Sequence, residues 1–217
     1  MPEEPDVAIR KFKVQDREAV RQIVYDTAFM GEPAGVFFEG KKLFCDALSL
    51  YFTDFEPQSC FVVEAGGEVI GYLMGAKDKA AADKLFNKKI FPGLLTKVLF
   101  SGVFFGKKNL SFLLNVFFSL LKGQFKTPDF SQAYPATLHI NIKFAFRGRH
   151  IGAQLVAAYF AYLKEEGVGG IHLATMLDAA GKFFAQEGFV LLYSGKRSYF
   201  RHILHKDVPL YIYGRRL

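Results

Sequence analysis

The chain has 217 residues, of which 51% are hydrophobic and 16% aromatic. This is enough for one domain with a large core or an inserted segment, and it excludes a largely disordered chain. The net charge of +7 comes from residues 77–127, which carry ten lysines and two aspartates, so the remainder lacks the basic stripe of a nucleic-acid-binding protein.

The start of the chain, MPEEPDVAIRKF, has neither the basic nor the apolar segment of a signal peptide. The two cysteines, Cys45 and Cys60, do not have the spacing of metal ligands. We therefore expect a cytoplasmic protein with reduced thiols and without a metal site. Walker, HExxH and GxSxG motifs are absent from the sequence, which argues against the enzyme classes that use them.

The first third of the chain predicts a strand, two helices and a hairpin. Alternating apolar residues over 7–12 indicate the strand, and Asp16 is the expected N-cap of the first helix. The second helix is expected over 41–52. Two apolar runs meet at Gly66 and Gly67, a pattern typical of a β-hairpin with a tight turn.

Residues 78–134 are unlike their surroundings and predict a helical insertion. Two helices are expected within 91–123, separated at 106–109, and apolar residues cover almost every side of both. Such helices are expected to bury nearly all of their surface. Each apolar run is about a dozen residues long, shorter than the ~20 residues that a transmembrane helix needs.

The last third returns to alternating strands and helices. In chain order, the pattern predicts a strand over 137–144, a helix over 148–166, a strand over 170–176, a helix over 178–188, and strands over 189–200 and 208–216. Together with the first third, this order predicts an α/β (α+β) fold. We expect a mixed, mostly antiparallel sheet of six to seven strands with helices on both faces and the insertion between strands 3 and 4.

The junction RGRHIGA, residues 147–153, joins the first of these strands to its helix. The first backbone N–H groups of a helix lack intrahelical partners and lie at the positive end of its dipole, so they bind anions. Arginine can bind phosphate oxygens through two nitrogens, and glycine lets the backbone come close to a ligand. The junction therefore indicates a polyanion site, most simply one for a pyrophosphate.

The junction also resembles the acetyl-CoA-binding motif of the GNAT superfamily of N-acetyltransferases. In that motif an apolar-x-apolar strand precedes Arg/Gln-x-x-Gly-x-Gly/Ala. Ile140 and Ile142 match the strand, Arg147 matches the Arg/Gln position and Gly152 matches the last position. His150 stands where the first glycine is usual.

A second GNAT signature is matched in part by LDAAGKFFAQEGF, residues 177–189. The family pattern is Asn-x-x-Ala-x-x-Phe-Tyr-x-x-x-Gly-Phe. Here Ala180 and Phe183 match, as do the final glycine and phenylalanine, whereas Leu177 replaces the asparagine and Phe184 replaces the tyrosine. Two motifs at the right separation and on the right elements are more specific than either alone.

The resemblance implies a single GNAT-like domain over 1–217, with 78–134 as the departure from the family plan. It implies acetyl-CoA as cofactor and transfer of its acetyl group to a primary amine of a small molecule or peptide, by direct attack. The residues implied in cofactor binding are Ile142, Lys143, Phe144, Arg147, Gly148, Arg149, His150, Ile151, Gly152, Ala153 and Phe184. With no tyrosine at position 184, the candidates for proton transfer are His139, Asn141 and Tyr199.

Two questions stay open at this point. The chain could instead be a non-catalytic acyl-CoA-binding or sensor protein, since His150 and Phe184 depart from the family motifs. The insertion could cap the acceptor side of the cleft, form a homodimer interface, or lie on a membrane surface through its lysines and apolar faces.

Overall fold

In the computed structural model, residues 6–217 are described apart from the side chain of Phe104, and seven strands form one sheet. The expectation about a signal peptide therefore falls partly outside the described residues. The strands are β1 (Val7–Lys11), β2 (Cys60–Ala65), β3 (Glu68–Ala76), β4 (Ala136–Ile142), β5 (Gly170–Thr175), β6 (Val190–Arg197) and β7 (Val208–Arg216). Their order is β1-β2-β3-β4-β5-β7-β6, and only β4 and β5 pair in parallel. The predicted mixed, mostly antiparallel sheet is confirmed.

Eight α-helices occur in the described chain, namely α1 (Arg17–Asp26), α2 (Lys41–Leu50), α3 (Lys79–Leu85), α4 (Phe91–Ser101), α5 (Lys107–Leu121), α6 (Ile151–Glu165), α7 (Asp178–Gln186) and α8 (Arg201–Leu204). Asp16 is the N-cap residue of α1, as predicted, but its side chain does not cap the helix. The Asp16 carboxylate makes no capping bond to α1; it accepts from the backbone N–H of Lys13 and from Arg10. Helix α6 begins at Ile151, three residues later than predicted, because Gly148 and His150 have positive φ angles.

The core lies on both faces of the sheet, since successive strand residues point to opposite sides. On β2, Val62 packs with α1 residues such as Val20, whereas Val63 packs with α6 residues such as Leu155. All four are at most 1% exposed. Helices therefore cover both faces of the sheet, as the pattern predicted.

The segment between β3 and β4 contains α3, α4 and α5. The predicted break between its two apolar helices is wrong in position, because α4 ends at Gly102, which has a φ of 67°, and α5 already begins at Lys107. Lys107 and Asn109 thus lie in the first turn of α5. Gly102 adopts the left-handed conformation that commonly ends a helix.

Polar contacts fix α4 and α5 against the rest of the molecule. The carboxylate of Asp46 on α2 is 4% exposed and accepts from Lys97 of α4 at 2.9 Å and from Arg21 of α1 at 2.7 Å. On α5, the buried amide of Asn109 accepts from the backbone N–H of Glu39 and donates to the carbonyls of Glu39 and Val103. Each helix therefore has one defined face toward the domain.

The expectation that α4 and α5 bury nearly all of their surface is wrong. Large apolar side chains remain 43% to 87% exposed along the segment, namely Phe91, Leu95, Leu99, Phe100, Phe105, Leu110, Leu114, Phe117, Phe118, Leu120 and Leu121. The sheet and helices α1 and α2 offer room for only one face of each helix. The opposite faces are left in contact with solvent.

Candidate functional site

Strands β4 and β5 form a fork. They pair over Ala136 with Ile171 and Thr137 with His172, and the described chain has no further pair between them. Beyond this point β4 continues beside β3, whereas β5 continues beside β7. The edges of the two strands that face each other are therefore open to a ligand that can form backbone hydrogen bonds.

Tyr159 of α6 lies at the base of this fork. Its hydroxyl is 3.0 Å from the carbonyl oxygen of Thr137 and 3.2 Å from that of Ala76. The side chain is fully buried, and its ring rests on Gly75, where a Cβ atom would lie only 2.2 Å from Cζ. Tyr159 thus ties the last paired residue of β4 to both β3 and helix α6.

The N-terminus of α6 points its first amides out of the helix beside the fork. The backbone N–H of Gln154 is the first to donate within the helix, to the His150 carbonyl at 3.2 Å, so the amides of Ile151, Gly152 and Ala153 have no acceptor inside α6. His150 has φ 59° and ψ 7°, which is the conformation that glycine adopts most easily. Histidine tolerates this region better than most residues, so the chain reaches a left-handed conformation at His150 without a glycine.

Arg147 and Lys143 have partners within the domain. The Arg147 Nε donates to the carbonyl of Ile142 at 2.9 Å, and its guanidinium lies against Gly31, where an added Cβ would be 3.4 Å from Nη1. The Lys143 ammonium is paired with Glu68. Arg147 therefore fixes the end of β4 to the loop after α1. Phe144, two residues beyond β4, is 84% exposed.

The two aromatic residues of the second motif have different surroundings. A Cβ atom on Gly152 would lie 3.2 Å from Cζ of Phe183, so the missing side chain at Gly152 makes room for α7. Phe184 is 4% exposed and packs against Phe183 and Phe189 at ring distances of 5.1 and 5.3 Å. Phe184 is thus part of the core and has no hydroxyl to offer a substrate.

On the α1 face of the sheet, His139, Tyr72 and Asn141 form a hydrogen-bonded cluster. Tyr72 and Asn141 are register partners on β3 and β4, and His139 lies two residues from Asn141, so all three point to one face. The Asn141 Nδ2 donates to the Tyr72 hydroxyl at 3.1 Å, and that hydroxyl is 3.0 Å from Nδ1 of His139. Tyr72 is fully buried, and burial raises its pKa.

This cluster fixes the tautomer of His139. Since Tyr72 is buried and already accepts from Asn141, its own proton needs an acceptor, and Nδ1 of His139 is in place to accept it. The imidazole then carries its proton on Nε2. The His139 side chain is partly open to solvent, and desolvation by the protein atoms around the ring lowers its pKa to about 4.

We expect His139 to titrate near pH 4 in the folded protein and near its ordinary value of 6.5 in the unfolded chain. Between these values the unfolded chain binds more protons at this residue, so its contribution to stability is complete above pH 6.5 and is lost as the pH falls toward 4. Histidine NMR titration, assigned with His139→Gln, checks the pKa, and urea unfolding at pH 5 and 7 checks the stability. A His139 titration near 6.5 in the folded protein would contradict the expectation.

Tyr199, the third candidate, lies apart from this cluster. Its hydroxyl donates to the sulfur of Met176 at 3.1 Å, its ring packs against Phe112 and Phe125, and burial raises its pKa. Within residues 6–217, no hydrogen bond joins Tyr199 to His139 or Asn141. Tyr199 thus belongs to an aromatic cluster formed by the loop after α1, helix α5 and the residues after β6.

Sequence patterns missed Tyr72 and Tyr159. Both lie in apolar runs that look like ordinary core segments, and their roles depend on which residues lie opposite them. Only the β3–β4 register reveals the first, and only the packing of α6 on the sheet reveals the second. Among the residues that the structure covers, no group of three His, Cys, Asp or Glu could hold a metal ion.

A scan against family models and a search of curated proteins gave no match to this chain. Solved structures do match. SsHAT is 22% identical, with 98% of both chains covered and a TM-score of 0.70. A Drosophila melanogaster polyamine N-acetyltransferase that forms N-acetylagmatine is 12% identical, with 98% of this chain and 100% of that chain covered and a TM-score of 0.60.

The Salmonella typhimurium protein yncA, solved with its cofactor acetyl-CoA, is 12% identical, with 97% of this chain and 94% of that chain covered and a TM-score of 0.58. The chain has the GNAT fold. At these identities the likeness establishes the fold alone. The GNAT resemblance of residues 140–152 and 177–189 thus falls on β4, α6 and α7 of a GNAT fold.

Proposed function

We propose that this protein transfers an acetyl group from acetyl-CoA to a primary amine of a small molecule or peptide. The observation that carries the proposal is the open β4–β5 fork beside the N-terminus of α6 in a GNAT fold. A ligand with a pyrophosphate and an amide-containing arm fits these two features together. When bound, acetyl-CoA supplies a thioester whose carbonyl carbon an amine can attack directly.

The cofactor would be held mainly by backbone groups. The amides of residues 148–153, including those of Gly148, Arg149 and His150, would bind the pyrophosphate, since they lie at the positive end of α6. The backbone near Ile142, at the end of the open edge of β4, would bind the pantetheine arm. The backbone N–H of Lys143 already donates to the Ile70 carbonyl at 2.8 Å, and the carbonyls of Lys143 and Phe144 accept from Phe146 and Arg147. Arg147 would act by fixing the end of that strand, as its bond to Ile142 supports.

On the acceptor side, the chemistry of His139 supports a hydrogen-bond donor rather than a base. Nδ1, which carries no proton in this tautomer, lies 3.0 Å from the Tyr72 hydroxyl and is already occupied, so it is not placed to take a proton from an alkylammonium. The amine would therefore lose its proton to solvent. The neutral imidazole, with its proton on Nε2, would donate to the oxygen that becomes negative during attack.

Tyr72 and Asn141 would serve as positioning residues. The Tyr72 hydroxyl holds Nδ1 of His139, and the Asn141 amide holds that hydroxyl, so the imidazole can neither turn over nor change tautomer at low cost. Phe184 and Tyr199 would take no part in proton transfer. Phe184 lies in the core, and the Tyr199 hydroxyl is occupied by Met176.

Ala153 allows a direct test of the anion site. Ala153→Glu should bind acetyl-CoA about tenfold or more weakly than Ala153→Gln, because a carboxylate in the first turn of α6 repels the pyrophosphate and competes for the same amides. The two variants have the same shape, and a carboxylate there stabilises the helix, so the loss of binding should come without a loss of Tm. Isothermal titration and thermal unfolding give the two readouts.

Equal affinities of the two variants would contradict the pyrophosphate site. Turnover is then measured with wild-type protein and a panel of small and peptide amines, by mass spectrometry of the acetylated product. Binding of acetyl-CoA without turnover of any amine would favour the alternative of a non-catalytic acyl-CoA sensor, which the absence of a hydroxyl at Phe184 supports.

A further inference from the structure

Helix α5 has an apolar face that points away from the domain. Its five side chains are 43% to 66% exposed and recur at intervals of three or four residues, namely Leu110, Leu114, Phe117, Phe118 and Leu121. Residues with this spacing lie on one side of an α-helix. Five large side chains on one solvent-facing side far exceed the isolated apolar residues that ordinary surfaces carry.

The opposite face of α5 holds the helix in this orientation. Asn109 and Ser119 are at most 1% exposed on that side, and Phe112 between them packs against Phe37, Phe38 and Phe200. Rotating the helix to cover the apolar face would break the three hydrogen bonds of Asn109 and remove Phe112 from its cluster. The exposed face is therefore built into the fold.

Lysine is the dominant charged residue in the segment that carries this face. Residues 86–127 contain seven lysines and no aspartate or glutamate. Lys107 and Lys122 stand exposed at the two ends of α5, and Lys126 follows shortly after. Lys97 and Lys108 are paired with Asp46 and Glu39, so the charges beside the face are mainly the lysines at the ends of α5. A second copy would add charges of the same sign there, so self-association through this face is opposed by charge. A surface with many negative groups and an apolar interior would match both the lysines and the exposed apolar side chains of α5.

We propose that the apolar face of α5 docks on an anionic lipid surface, with the helix lying parallel to the membrane and its lysines among the head groups. Amphipathic helices bind in this way, and each lysine near an anionic surface contributes about 1 kcal/mol. The 15 residues of α5 span about 22 Å. No helix in the described residues is long and apolar enough to cross a membrane. This inference does not depend on the acetyl-transfer proposal.

Co-sedimentation with vesicles tests the docking surface. Wild-type protein should bind vesicles that contain phosphatidylglycerol, bind pure phosphatidylcholine vesicles weakly, and dissociate as the salt concentration rises. Phe117→Ser/Leu121→Ser should weaken partitioning by about tenfold or more. Lys107→Gln/Lys122→Gln should weaken it about fivefold for each lysine, and only on anionic vesicles.

Matched controls come from exposed residues elsewhere. Val190 and Leu191 on the edge strand β6 are 57% and 51% exposed, so Val190→Ser/Leu191→Ser removes a similar apolar area. Lys164→Gln/Lys182→Gln removes the same charge from exposed positions on α6 and α7. Both controls should bind vesicles as the wild type does.

Three results would overturn the proposal. The first is equal binding of wild type to neutral and anionic vesicles. The second is equal loss in the control variants. The third is a dimer in sedimentation that Phe117→Ser/Leu121→Ser converts to a monomer, with no vesicle binding by wild type, because the face would then be an interface between copies.

Discussion

Gly75→Ala should lower the free energy of unfolding by about 2–6 kcal/mol. A Cβ atom at this buried position would lie 2.2 Å from Cζ and 2.3 Å from the hydroxyl oxygen of Tyr159, which is itself fully buried. The ring cannot move without breaking its bonds to the carbonyls of Ala76 and Thr137. Overpacking costs about 1–3 kcal/mol, and each buried polar group left unpaired costs about 1–3 kcal/mol more.

Urea unfolding followed by circular dichroism measures this effect, and Gly93→Ala is its control. A Cβ at Gly93 meets nothing within 4 Å, and Gly93 lies within α4, so alanine there should stabilise the protein by up to about 1 kcal/mol. Shortening the clashing side chain in Gly75→Ala/Tyr159→Leu should recover part of the lost stability. Similar unfolding midpoints for Gly75→Ala and Gly93→Ala would contradict the packing of Tyr159 described here.

His139→Ala should lower kcat by about 10²–10³-fold and leave acetyl-CoA affinity unchanged. This is the effect of removing one donor to a developing oxyanion. His139→Gln separates the two roles of the imidazole, because the glutamine amide can still donate a hydrogen bond but is not a base. If His139 acts as a donor, glutamine should restore a measurable part of kcat. Glutamine and alanine variants with equally low kcat would instead favour a base.

Tyr72→Phe extends this experiment to the positioning residues. The ring stays in place, but His139 loses the partner of Nδ1 and is free to change tautomer. The expected result is a lower kcat with an unchanged KM for acetyl-CoA, together with a higher pKa for His139 in the NMR titration as water enters the gap. A loss of stability without a change in kcat would mean that the cluster is only structural.

The sequence predicted best those parts of the site that depend on the backbone conformation of neighbouring residues. The alternation over 137–144 and the amphipathic pattern after residue 147 predicted a strand followed by a helix N-terminus, and the structure has both, with the helix beginning at Ile151. It also predicted the hairpin at Gly66 and Gly67 and the mixed sheet. These features depend on φ angles and on alternation between neighbours, which a sequence records directly.

The sequence was least informative where the site depends on contacts between residues that are far apart in the chain. Tyr72 and His139 are 67 residues apart, and the three helices between β3 and β4 separate them in the chain. The bond of Arg147 to Ile142 and the exposed face of α5 were missed for a related reason. An all-round apolar helix does not reveal which side the domain covers; the hydrogen bonds of Asn109 decide that in three dimensions.

Helix α6 sets a fixed distance between two parts of the candidate site. Its first turn carries the amides beside the fork, and Tyr159, eight residues after Ile151, holds the point where β4 and β5 separate. Eight residues of helix correspond to about 12 Å along one rigid axis. Deleting a single residue between them would shorten this distance by about 1.5 Å and rotate one end by about 100° relative to the other. The helix therefore fixes the length of a cofactor that can reach from the amides to the fork. Changes in loops elsewhere in the chain leave this distance unchanged.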